Sequence, residues 1–197
     1  MATEIKIVEE AKKPIGMNPK KFALWLFMVS VIMIFGALTS AYIVRQAEGN
    51  WLDFDMPPMF SITTGIILLS SFTMHWAYFA VKKDKLETAK VAMSITVVLG
   101  IAFLIGQFLG WQQLVANGVY LVSRESSGVS GSFLYIISGL HGLHVISGVI
   151  VLLVMLIFVF RVKVHSRNLA PIEMCTTYWH FLDGLWLYLF LFLILNR

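Results

Sequence analysis

The sequence predicts an all-α protein that crosses a membrane five times. Three observations carry that prediction. Only 13% of the 197 residues are charged, against about 25% in ordinary soluble domains. Five long stretches lack Lys, Arg and Glu altogether. The charges gather in short segments between those stretches, whereas a soluble surface would spread them along the chain.

The chain opens with MATEIKIVEEAKKPIGMNPKK, which mixes acids with lysines and has no apolar run before Phe22. It reads neither as a signal peptide nor as an Arg/Ser-rich transit peptide. Residues 1–21 are therefore expected to be a cytoplasmic tail, with Asn18-Pro19 as the entry into a helix. Residues 22–197 form a single expected transmembrane domain. A helix needs roughly 20 apolar residues to cross the hydrocarbon layer. The stretches that meet this length are 22–44, 59–81, 91–115, 133–160 and 174–195. Strand-type alternation is absent from them, which argues against a transmembrane barrel.

Orientation follows from the basic residues. The tail, the 82–90 segment and the 161–172 segment fall on one side and hold twelve of the fifteen Lys and Arg residues. Arg45, Arg124 and Arg197 fall on the other. Basic residues favour the cytoplasmic side, which puts the N-terminus there and the C-terminus in the periplasm. The net charge of +4 thus reflects topology and anionic lipid, with no role for nucleic acid. A bacterial plasma membrane is the expected location.

The short connections predict that consecutive helices are antiparallel neighbours. QAEGNWLDFDMPP and NGVYLVSRESSGVSG are the longest connections, and Trp51 and Tyr120 are expected interfacial anchors. Gly106 and Gly110, at GxxxG spacing, and the small residues around Gly142 and Gly148 predict close helix contacts. Cys175 stands alone, so no internal disulfide is possible; its expected role is that of a small buried hydrophobe.

The polar groups inside the apolar stretches are the chemical question. The fourth stretch contains SGLHGLHVISG, which sets His141 and His144 on one helical face. The fifth contains Glu173, Thr176, Thr177, His180 and Asp183, recurring every three to four residues as one stripe. An ionised residue at mid-bilayer costs about 2.5–3.5 kcal/mol, so this stripe must face protein, water or lipid headgroups. Three readings compete. The imidazoles and carboxyls can hydrogen-bond between the fourth and fifth helices or to lipid headgroups; His75, His141, His144 or His180 can ligate haem; or Glu173, His180 and Asp183 can relay protons. Gln107, also inside the membrane, is expected to bond across helices.

At these residues the chain resembles a known family. HGLHVISG followed by FRVKVH, and then E-x6-H within EMCTTYWHFLDGLWLYLF, is similar to subunit III of the haem–copper respiratory oxidases. LFMVSVIMIFG, LLSSFTMHWA and GIAFLIGQFLGWQQL resemble that family's third, fourth and fifth helices, and the five-helix length resembles its short bacterial form. The resemblance implies an accessory subunit without a catalytic centre, in a proton-pumping complex that reduces oxygen with electrons from cytochrome c or quinol. It implies that haem and copper reside in partner chains and that this chain binds no cofactor or metal. It further implies a direct partner in catalytic subunit I, neighbours among other oxidase subunits and possible membership of a supercomplex. Lipid held in a cleft and support of proton uptake are also implied. Family headgroup contacts map onto Arg161, Lys163 and His165. His141, His144, Glu173, His180, Asp183 and Trp186 match the family pattern and form the expected structural polar cluster. Val31 and Gly110 stand where many members carry carboxylates, so no role of those carboxylates carries over. The competing reading is a haem-b-binding membrane anchor of a respiratory dehydrogenase.

Overall fold

A computed structural model describes residues 18–49, 56–121, 129–162, 164 and 168–196. Among them are five α-helices and no strand: α1 (Pro19–Ala47), α2 (Pro58–Lys82), α3 (Leu86–Ala116), α4 (Val129–Phe160) and α5 (Ala170–Leu195). All five are long and apolar enough to cross a membrane. Even α2, with 25 residues, measures roughly 37 Å at 1.5 Å per residue, more than the ~30 Å hydrocarbon core.

Each helix contains one of the long apolar stretches and continues beyond it into polar flanks. α1 starts where the Asn18 side chain accepts from the Lys20 N–H at 3.0 Å, with Pro19 in the first turn. α2 ends at a tight turn in which Asp84 takes φ 53°. There the Lys85 N–H reaches back to the Ala80 carbonyl at 2.9 Å, closing the helix as left-handed caps do.

Helices α2, α3, α4 and α5 pack in a closed ring, each touching two others of the set. α1 lies outside the ring and touches only α4 and α5. Consecutive helices are therefore neighbours from α2 onward, but α1 and α2 are not, contrary to the expectation from short connections. The ten residues between them reach about 33 Å when extended, ample to carry the chain past a neighbour. Met28, Val31, Phe35, Thr39 and Tyr42 are the buried residues of α1. Their spacing of three and four makes a single narrow seam. Phe35 and Tyr42 on that seam pack with Ile137 of α4 and Leu189 of α5 in an apolar cluster separate from the main core.

Glycines set the closest approaches inside the ring. A Cβ on Gly100 of α3 would lie 2.8 Å from Trp179 Cη2, and one on Gly148 of α4 would lie 3.1 Å from Trp179 Cζ3. The Trp179 ring is thus held between two bare backbones. Gly106 and Gly110, the GxxxG pair, turn instead to α2, where Thr63 and Phe60 fill the space a Cβ would need. The outer surface is apolar, with Phe72, Met33 and Leu143 among many large exposed side chains. Tyr120 is exposed; Trp51 lies outside the described residues.

Candidate functional site

Four hydroxyls inside the ring share one arrangement. A Ser or Thr hydroxyl donates to a carbonyl of its own helix and accepts from an N–H on another helix. Ser70 donates to the Ile67 carbonyl at 2.8 Å and accepts from Trp179 Nε1 at 3.0 Å. Thr64 donates to Phe60 at 2.7 Å and accepts from Trp186 Nε1 at 2.9 Å. Ser138 donates to Leu134 at 2.7 Å and accepts from Trp111 Nε1 at 3.0 Å. Thr63 does the same for Gln107 Nε2, at 2.9 Å. Each hydroxyl thereby satisfies itself locally and still offers a lone pair across the gap. Tyr178 and Ser147 add a hydroxyl pair at 2.6 Å between α5 and α4.

The composition of α4 marks its small residues only as points of close helix contact, and no sequence expectation singles out Ser70, Thr63 or Thr64. The signal was present in MFSITTGIILLSSFTM: Phe60, Thr63, Thr64, Ile67, Ser70 and Met74 recur at helical spacing, and all are buried. Cys175 is buried as expected.

The expected polar cluster is divided among several places. His141 is fully buried. Its ring stacks on Trp186 with centroids 5.1 Å apart and meets the edges of Phe35 and Phe103 at 6.3 and 6.1 Å. Neither of its nitrogens has a hydrogen-bond partner among the described residues. His144, one turn along, donates from Nδ1 to the Leu140 carbonyl of its own helix at 2.8 Å and packs against Phe35. Among the described residues neither imidazole bonds to a carboxyl of α5. The interhelical bond runs elsewhere: His180 Nδ1 meets Ser71 Oγ of α2 at 2.5 Å. Asp183 is buried, with His180 Nδ1 at 4.0 Å, and neither of its carboxyl oxygens has a hydrogen-bond partner among the described residues.

Glu173 sits in the first turn of α5 and pairs with Lys21 of α1. This pair forms the mouth of a cleft of about 350 Å³ between α1, α2 and α5, lined also by Trp25, His75, Tyr78, Thr176 and His180. Above it an apolar groove continues between α1 and α5 past Ile32, Gly36 and Gly184 to Tyr188. Farther along, α1 is fastened again: Thr39 Oγ1 meets Tyr188 Oη at 3.1 Å, and Tyr42 and Gln46 both donate to the Asn196 carbonyl at 2.9 Å.

Arg161 is exposed at the end of α4. Lys163 and His165, the other two expected headgroup contacts, lie outside the described residues. No group of three or more His, Cys, Asp or Glu side chains among the described residues is arranged to hold a metal ion.

Comparison with known proteins extends this picture. The chain is 29% identical over 179 residues to a probable quinol oxidase subunit 3 of Staphylococcus saprophyticus, covering 88% of this chain and 87% of that protein. It is 32% identical over 175 residues to a probable cytochrome c oxidase subunit 3 of Nocardia farcinica, covering 84% and 82%. A cytochrome c oxidase subunit 3 of Corynebacterium diphtheriae is 28% identical over 174 residues, covering 84% and 82%. The sequence model of cytochrome c oxidase subunit III matches residues 7–196. That match takes in all five helices, and with it the chain belongs to the cytochrome c oxidase subunit III family, the accessory subunits of haem–copper terminal oxidases.

Proposed function

We propose that this chain stabilises the catalytic subunit I of a proton-pumping oxidase by packing directly against it in a bacterial plasma membrane. In this reading residues 22–197 act as one five-helix domain behind the 1–21 tail, with the tail and both basic segments on the cytoplasmic side. Haem and copper belong to partner chains. Arg161, Lys163 and His165 contact lipid headgroups, and the chain supports proton uptake by the complex.

The observation that carries the reading is how the interior side chains are engaged. Trp111, Trp179 and Trp186 each meet a hydroxyl on another helix, and His141 is enclosed by three aromatic rings. These are the contacts of a bundle that keeps its own register while its apolar perimeter stays free for lipid and neighbours. His141, His144, Glu173, His180, Asp183 and Trp186 are accordingly structural residues.

Purification in mild detergent tests the proposal. The chain should co-purify with a large haem–copper polypeptide, and isolated from it should show no haem absorbance. Haem at unit stoichiometry on the isolated chain would instead select the membrane-anchor reading.

A further inference from the structure

The cleft beside α1 carries more polar chemistry than fastening a helix requires. Intramembrane ionisable residues mark functional sites by default, and two imidazoles meet here. His75 and His180 have ring centroids 5.8 Å apart. His180 Nδ1 is engaged with Ser71, so its Nε2 remains for a ligand. Thr176 is only 9% exposed and lines the cleft, and its hydroxyl has no hydrogen-bond partner among the described residues. Trp25 and Tyr78 supply aromatic walls.

The order of these groups along the membrane selects the ligand. Both charges lie at the mouth, where Lys21 and Glu173 neutralise each other. An anionic headgroup therefore finds no free cation there. Seven residues farther along α5, about 10 Å deeper, His180 and its neighbours present hydroxyl and imidazole groups. His180 also borders the apolar groove of about 420 Å³ that runs on between α1 and α5. No Cβ stands over Gly36 or Gly184, and open space lies above both.

The matching molecule has a neutral flat head with acceptors on opposite edges, lies below the headgroups, and carries a long apolar tail. A phospholipid places its charge too high. A mostly apolar pocket with a few convergent polar groups is the usual form of a small-molecule site. We propose that the cleft between α1, α2 and α5 binds the head ring of an isoprenoid quinone. Thr176, His75 and His180 form its hydrogen-bonding set, Trp25 and Tyr78 flank the ring, and the groove past Gly36 and Gly184 receives the tail. The proposal concerns binding alone and moves no electron through this chain.

Photolabelling of the intact purified complex with an azido-substituted isoprenoid quinone tests it. Label is expected on peptides spanning 71–80 and 173–181, competed by excess unlabelled quinone. Thr176→Val and His75→Leu should each lower labelling at least fivefold, while Gly142→Ala, on an open face, leaves it unchanged. Thr176→Val is nearly isosteric and decides the matter if His75→Leu fails to assemble. Absence of label from these peptides would overturn the proposal, as would labelling indifferent to Thr176→Val. Displacement of the label by added phosphatidylethanolamine and not by quinone would assign the cleft to phospholipid and overturn it equally.

Discussion

Lys21 and Glu173, 152 positions apart, form an ion pair that joins the first turn of α1 to the first turn of α5. Glu173 also lies where the helix dipole favours a negative charge. Since α1 touches no other helix of the ring except α4, this pair is one of few polar ties holding it.

The pair is partly exposed, its side chains retaining 40% and 32% of their accessible surface, which bounds its strength. Lys21→Ala or Glu173→Gln should each destabilise the complex by no more than about 1 kcal/mol. The exchanged pair Lys21→Glu with Glu173→Lys should recover part of the loss. With the double variant Lys21→Ala/Glu173→Gln completing the cycle, thermal unfolding of its four members in mild detergent measures the coupling; a coupling of zero would remove the tie.

Gly148→Ala and Gly100→Ala should both destabilise. A Cβ at Gly148 would lie 2.6 Å from Leu182 Cδ1, and one at Gly100 2.8 Å from Trp179 Cη2. Overpacking of this kind costs about 1–3 kcal/mol. Gly142→Ala meets nothing within 4 Å and should be neutral or better. Melting temperatures of the three variants check the ranking, and a harmless Gly148→Ala would contradict the packing around Trp179.

Trp186→Phe keeps an aromatic ring beside His141 but loses the indole bond to Thr64 and part of the buried ring that packs on Phe60 and Phe103. Interhelical hydrogen bonds in a bilayer average about 0.6 kcal/mol, so with the smaller void added the loss should stay well below that of the full truncation. Trp186→Ala also removes the ring from the His141 box and should cost about 3–5 kcal/mol. Equal losses in the two variants, read from denaturation midpoints, would mean that the bond outweighs the ring.

Asp183→Leu separates clamp from relay. Asp183 is buried next to His180 on one side of the α2–α5 seam. As a clamp, its replacement should lower the yield of assembled complex or its retained lipid while oxygen consumption per assembled complex stays nearly normal. Turnover lost in fully assembled complexes would favour proton relay.

The five spans were legible because lipid imposes length and apolarity on any helix that crosses it. Helix ends were less so, since segments such as LETAK before Val91 and PIE before Met174 are helical in the structure yet polar in composition. The placement of α1 was not legible at all. In lipid an exposed Met33 and a buried Val31 are equally apolar, so no pattern marks the face that packs. The stripe on α5 was readable as a stripe, but its partners were not. Ser71 and Lys21 are ordinary residues in their own segments and acquire meaning only when the helices meet. His141 shows the limit most clearly: a histidine three residues from another suggested a shared task, and its surroundings are three aromatic rings.

The fastening of α1 also constrains how the polypeptide is made. Thr39, Tyr42 and Gln46 bond to positions 149, 154 and 150 residues later, as Lys21 does 152 residues later. A ribosome delivers α1 to the bilayer long before it delivers those partners. The helix must wait in lipid as a lone span until α4 arrives to pack against Phe35 and Tyr42, and its polar ties close only once α5 is made. A nonsense codon anywhere ahead of Val129 would therefore leave inserted fragments whose leading helix drifts unmoored, an obvious target for membrane proteolysis.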